Sequence, residues 1–318
     1  MRLMGKAVFA FIFLFTFSVS KTFSVESTIT KDSSEVKSFS FSGDSVFSFK
    51  SKKGFLPELL HDFGEQATAP FHMTSGQSMM VVGGVVITGA LILSDEKIDN
   101  YFKPMKEKNR LIGDVSRPIT NIGSSYAFMF AGAFGAYGLV CKDRKAVLTM
   151  LLCFQAAITS GVWVRVGKML TSRERPSASY KDFQHDFWWG PFQQFNPRIS
   201  KDRGVAYFDA FPSGHTATAF SIASVFAHQY SDRAAVPVTA YTIASLVGVS
   251  RLTEHDHWAS DVFAGACIGY LCGKQVVKHD HEQERDGSPV HASSGKASSF
   301  YFLSMSGNQP MVNYVLTF

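Results

Sequence analysis

Between Met79 and Lys274 the chain carries six apolar stretches, near residues 79–93, 121–140, 146–166, 214–230, 234–250 and 258–273. At 1.5 Å per helical residue they reach about 23 to 32 Å, which brackets the ~30 Å hydrocarbon layer of a bilayer. Small residues recur within them, as in GGVVITGA and FAGAFGAYG, and suit helices packed closely in lipid. A soluble bundle with a thick core would fit the same lengths. Composition leans towards the first reading without excluding the second: charged residues make up only 18% of the 318, against roughly 25% in ordinary soluble domains. The expected fold is therefore all-α, a transmembrane six-helix bundle with short β-like extensions at the N- and C-termini.

The ends differ from this core. Residues 1–20 start with Arg2 and Lys6, continue apolar from Ala7 to Phe17 and close on Ser18 and Ser20, the pattern of a signal peptide, with an uncleaved signal anchor as the rival. Residues 21–75 form a polar lead-in rich in serine and phenylalanine, in which Phe39 to Phe49 alternates at strand period. The helical core is expected over 76–278. Residues 279–318 read as a polar tail whose last stretch, alternating at Val312, Tyr314, Leu316 and Phe318, is strand-like. Lysine plus arginine outnumber acids by only 31 to 26, so nucleic acid is not an expected partner. Cys141, Cys153, Cys267 and Cys272 lack metal-ligand spacing and read as small apolar residues.

Three motifs carry the chemistry: Lys168-x6-Arg175-Pro176, Pro212-Ser213-Gly214-His215, and Ser250-Arg251-x5-His257-x3-Asp261. His257 and Asp261 are four apart, so on a helix a carboxylate would orient an imidazole, which can then act as nucleophile or general base. Alone, that pair is more often a satisfied helix face. Arg251, expected on the turn leading into this helix, adds a planar fork suited to phosphate oxygens. Pro212 stops a preceding helix, Ser213 is a good N-cap, and Gly214 permits close approach of an anion to a helix start. His215 then stands where it can protonate a leaving oxygen. Lys168 and Arg175 add two more cations beyond an apolar end, where bare snorkelling is the bland alternative. Together the three motifs read as a phosphoryl-transfer site.

At every fixed position these motifs resemble those of the type 2 phosphatidic acid phosphatase and vanadium haloperoxidase superfamily, over about residues 79–275. The resemblance implies that Lys168, Arg175 and Arg251 bind phosphate oxygens with help from Ser213 and Gly214. It implies further that His257 is the nucleophile forming a phosphohistidine, His215 the acid and Asp261 the orienter. Neither a metal nor a cofactor is implied. The expected enzyme is a phosphomonoesterase acting on a lipid phosphate, such as phosphatidate, an isoprenoid phosphate or a lipid A phosphate. A soluble periplasmic acid phosphatase acting on a small phosphomonoester and a vanadate-dependent haloperoxidase are the alternatives.

Aromatic residues Phe183, Phe187, Trp188, Trp189, Phe192 and Phe195 fit either a membrane-interface belt or lid over a lipid tail, or a small core that packs the loop. His61, His185 and His228 read as surface or loop residues, and the clusters around His255 to His257 and His279 to His281 as unsuited to a structural zinc site. Lys142, Arg144, Lys145 and Arg233 lie in loops opposite the motifs, which by the positive-inside rule places the site outside the cytoplasm, in the cell envelope; a cleaved signal peptide followed by six spans would place it inside, and loop charge is given the greater weight.

Overall fold

The computed structural model describes residues 47–48, 55–179, 188–196, 204–286, 298–306 and 309–317. The signal-peptide segment, most of the serine-rich lead-in, and Phe183, His185 and Phe187 lie outside the described residues. The chain divides into Met1–Asp44 and Ser45–Phe318, and the following concerns the second unit.

Among the described residues its longer helices are α1 (Phe55–Thr68), α2 (Ser75–Ile92), α3 (Asp95–Lys108), α4 (Arg110–Ile122), α5 (Ser125–Cys141), α6 (Arg144–Thr171), α7 (Gly214–Gln229), α8 (Ala235–Thr253) and α9 (Ala259–Asp286). The six apolar stretches fall on α2, on the α4–α5 pair, and on α6 to α9. The second is broken: α4 and α5 meet at a 52° bend. The bend sits at Gly123, where a Cβ would meet the His215 carbonyl at 2.8 Å, so the chain turns where it presses on the start of α7. Helices α2, α6 and α8, and the bent pair taken as one span, are long and apolar enough to cross a membrane. Along α2 every side chain is at least partly exposed, with Met79, Val82, Val85 and Val86 among the outward apolar groups. An apolar helix that hides no face is suited to lipid on its outer side.

Two elements depart from expectation. Helix α1 lies inside the segment read as lead-in, and buries Leu59 and Asp62. Helix α9 continues to Asp286, so residues 279–286 belong to it and not to a separate tail. From the two ends of the unit, β1 (Phe47–Ser48) on the N-terminal side and β2 (Ser298–Ser306) and β3 (Gln309–Thr317) on the C-terminal side form one antiparallel sheet in that order, with Phe47 opposite Leu303 and Ser306 opposite Gln309. These are the expected β-like extensions.

The centre is α7, which packs on α6, α8 and α9. Its apolar core joins Ile222, Val225 and Phe226 to Leu152 and Cys153 of α6 and to Val276 and Val277 of α9. Gly265, Gly269 and Gly273, spaced every four residues on α9, face the α7 backbone at Ser213, Ala217 and Ser221 too closely for any Cβ. This glycine row lets the two backbones touch, and so brings the second and third motifs together.

Candidate active site

All three motifs converge on one end of the bundle. Helix α6 closes at Ser172, which takes the left-handed conformation with φ 42°, and the chain turns back past Arg173 to Arg175. Lys168, in the last turn of α6, donates from Nζ to the Asp209 carbonyl at 2.6 Å and pairs with its carboxylate at 3.2 Å. Arg175 donates to Asp209 Oδ1 from Nε at 2.9 Å and from Nη2 at 2.7 Å. Arg251 donates to Asp256 Oδ2 at 2.5 Å, and Arg175 lies 3.6 Å from Asp256. Arg251 belongs to the last turn of α8 and not to the following turn, a correction to its expected place. Asp209 and Asp256 thus gather three cations that would otherwise repel. Neither carboxylate was singled out from the sequence, because their role depends on which cations the fold brings to them.

In the second motif Ser213 occupies the N-cap of α7, but its hydroxyl pairs with Thr216 Oγ1 at 3.0 Å and does not cap a helix amide. Its own N–H donates to the Asp261 carbonyl at 2.9 Å, linking the start of α7 to α9. Gly214 opens the helix, and His215 in its first turn lies within electrostatic reach of Lys168, Arg175 and Arg251.

The third motif differs from its expected geometry. His257 lies in the turn before α9, so it does not share a helix face with Asp261. Its Nδ1 meets the Ala210 carbonyl oxygen at 2.8 Å, whereas Asp261 Oδ2 is 3.5 Å away. A carbonyl only accepts, so Nδ1 carries the proton and the lone pair resides on Nε2. Burial, followed by the charges of Lys168, Arg175 and Arg251, holds the His257 imidazole well below its usual proton affinity. The result is a buried neutral histidine of defined tautomer, the state a nitrogen nucleophile requires. Asp261 accepts from the Trp258 N–H at 2.8 Å and from Arg173 Nη1 at 2.6 Å.

Arg173, also missed by the motif reading, is fully buried and spans Asp261 and Asp95, the latter at 2.7 Å. Asp95 in turn accepts from the Ser260 N–H at 2.9 Å, which ties α3 to the start of α9. The Trp188 ring covers the Arg173 guanidinium at 4.4 Å, and Trp189 donates to Glu174 at 2.8 Å. Of the two readings of the aromatic loop, packing therefore holds for Trp188 and Trp189, which brace the wall of the site. The histidine cluster also disperses: His255 pairs with Asp99 at 2.6 Å while Asp256 and His257 turn elsewhere. An apolar cavity of about 460 Å³ lies between α2 and α9, lined by Val81, Gly84, Val85, Ala264 and Ile268, and reaches Phe211 beside the second motif.

Fold and site define a helical enzyme of membrane type, with fixed cations suited to a tetrahedral oxyanion around a neutral histidine. The PAP2 superfamily model matches residues 146–285. A lipid A 1-phosphatase of Rhizobium etli is 31% identical over 188 residues, which cover 57% of this chain and 74% of that protein. A lipid A 1-phosphatase of Porphyromonas gingivalis is 48% identical over 67 residues, 21% of this chain, and the match spans only 15% of that relative's length. Among solved structures, Aquifex aeolicus LpxE aligns with a TM-score of 0.42 and 21% identity, over 58% of this chain and 94% of that one. A transmembrane PAP2 type phosphatidylglycerolphosphate phosphatase from Bacillus subtilis aligns with a TM-score of 0.38 and 21% identity, over 72% of this chain and 94% of that one. The chain belongs to the PAP2 superfamily.

Proposed function

We propose that this protein is a metal-independent phosphomonoesterase that hydrolyses a lipid phosphate of the lipid A class through a phosphohistidine. The observation that carries this reading is the bond from His257 Nδ1 to the Ala210 carbonyl, because it leaves the Nε2 lone pair available beside three cations. Nε2 attacks phosphorus, the bond to the lipid oxygen breaks, and His215 supplies the proton that the departing oxygen needs. Water then attacks the phosphohistidine; the P–N bond breaks, the water proton passes to His215, and inorganic phosphate leaves. Lys168, Arg175, Arg251 and the Ser213–Gly214 helix start neutralise charge on the equatorial oxygens, the task a metal performs in other phosphatases. Asp261 is a positioning residue, acting through Trp258 and Arg173.

Lipid as substrate is supported by the exposed apolar flanks, by the cavity beside Phe211, and by the names of the two curated relatives. An outward-facing site is supported by connectivity: Lys142, Arg144, Lys145 and Arg233 join the helix ends opposite the motifs, and Lys145 Nζ sits 4.5 Å over the Tyr230 ring, linking those two loops. The test is phosphate release from a lipid A phosphate by the purified full-length protein. Vanadate should inhibit it, and brief EDTA treatment should leave the initial rate unchanged. Loss of the rate to EDTA with recovery on adding magnesium would overturn the mechanism. Peroxide-dependent bromide oxidation by the vanadate-loaded protein would point to the haloperoxidase alternative.

A further inference from the structure

We propose that His61, Asp62 and His279 form a binding site for a divalent transition metal such as zinc, which fastens α1 to α9. One donor atom from each of the three lies within 4.8 Å of the others, and among the described residues theirs is the group of histidine and carboxylate ligands that converges in this way. Two imidazoles and a carboxylate are a ligand set that zinc accepts, with bonds of about 2.0–2.2 Å. Ligand atoms on one zinc ion then stand roughly 3–3.5 Å apart, so closure asks for about 1 Å of side-chain movement.

The surroundings favour a cation. The His61 and His279 rings lie close, stacked at 4.5 Å with 22° between their planes, across the α1–α9 contact. His61 Nδ1 is buried and has no hydrogen-bond partner among the described residues, a cost that ligation would remove. Asp62 is fully buried, accepts from His279 Nδ1 at 2.8 Å, and is held in place by Gln155 and Gln275. Those amides are the kind of outer partners that orient a ligating carboxylate. Glu58 and Glu65, near His61 and Asp62 on α1, add negative charge within reach of His279. His279 stands 18 residues after Asp261 on α9, about 27 Å along the helix, so this site is separate from the phosphate site.

The sequence placed His61 on the surface and His279 in a tail, and its i, i+2 neighbour His281 diverges. The pairing emerges only because α9 continues past residue 278 and α1 lies alongside it.

The experiment is calorimetric titration of zinc chloride into the full-length protein in detergent, after EDTA treatment and removal of the chelator, at fixed pH. One equivalent should bind in the micromolar range or tighter. His61→Ala and His279→Gln should each weaken binding by more than about tenfold. Glutamine retains a donor towards Asp62, so a merely hydrogen-bonded role for His279 would leave binding unmoved and overturn the proposal. Phosphatase turnover of the variants reports that they fold. Should a variant fail to fold, cobalt added to the wild-type protein provides the second readout: visible d–d bands characteristic of histidine ligation support the site. Their absence, or wild-type zinc binding weaker than about 100 μM, sinks it.

Discussion

A backbone carbonyl, not a carboxylate, fixes the tautomer of His257, and this determines what each substitution at the site should do. His257→Ala removes the proposed nucleophile while leaving the Arg173 network whole, so turnover should fall roughly a thousandfold or more with the melting temperature little changed. A folded variant retaining most of its turnover would dismiss the phosphohistidine. Asp261→Asn acts differently, because Asp261 shares the fully buried Arg173 with Asp95. It should lower kcat more than it raises KM and also cost stability, by about 3 kcal/mol, since removing one partner strands a buried charge. Differential scanning calorimetry beside kinetics separates the two effects, and an unchanged melting temperature would contradict the network. The pH dependence follows from the sign of the His257 shift. Its conjugate acid forms only well below the usual imidazole value, so the neutral nucleophile persists as pH falls through 6.5. Protonation of His257 should therefore cause no fall in kcat between pH 7 and 6, and a decline centred at 6.5 or above would exclude this environment. Eight candidate site residues could be picked out of the three motifs in the sequence because their spacing and type carry chemistry. Asp209, Asp256 and Arg173 could not, because a charged residue between motifs gains meaning only from the partners the fold brings to it, five positions away for Asp256 and Arg251 but 34 for Asp209 and Arg175 and 88 for Arg173 and Asp261.

At the scale of elements, the α7–α9 contact sets how far the second motif stands from the third. Recurring small residues were visible in the apolar stretches of the sequence, but which of them form the row on α9, and against which helix, is a property of the fold. A methyl group at Gly269 would meet the Ala217 carbonyl and the Ser221 amide of α7, neither of which can yield without moving the helix. Gly269→Ala should thus destabilise the protein by about 1–3 kcal/mol, the usual cost of overpacking a tight contact. Because displacement of α7 carries Ser213, Gly214 and His215 with it, kcat on every substrate should fall along with stability. Gly132, with open space around its missing Cβ, is the control, and its alanine variant should do neither. Equal melting temperatures for the two variants would show that the helices do not press together here. Helix ends were harder to read than helix centres. Lys278 and Glu282 pair at 3.5 Å one turn apart on α9, so the polar sequence that looked like a tail is a solvated helix continuing.

At the scale of the whole molecule, lipid preference should reside in the bundle's flank and not in the aromatic loop. Trp188 and Trp189 support Arg173 and Glu174, so replacing them would damage hydrolysis of all phosphate esters and say little about lipid. The cavity between α2 and α9 offers a cleaner probe, since it runs beside Phe211 and is lined by apolar groups. Gly84 lies on its wall, and a Cβ there would meet its nearest neighbour, Cys267 Sγ, at an ordinary 3.8 Å. A larger side chain at this position therefore extends into the cavity without forcing the helices apart. If an acyl chain occupies the space, Gly84→Leu displaces part of it, and losing even two methylenes at about 0.8 kcal/mol each costs more than tenfold in binding. The expected outcome is a tenfold or greater fall in kcat/KM for a long-chain lipid phosphate, with hydrolysis of p-nitrophenyl phosphate nearly unaltered, because the three cations and both histidines stand outside the cavity lining. The wild-type protein should favour the lipid ester by orders of magnitude over the soluble one for the same reason. Comparable wild-type rates on the two esters, with no selective loss in Gly84→Leu, would transfer the protein to the reading in which a small soluble phosphomonoester is the substrate and the apolar groove serves packing alone.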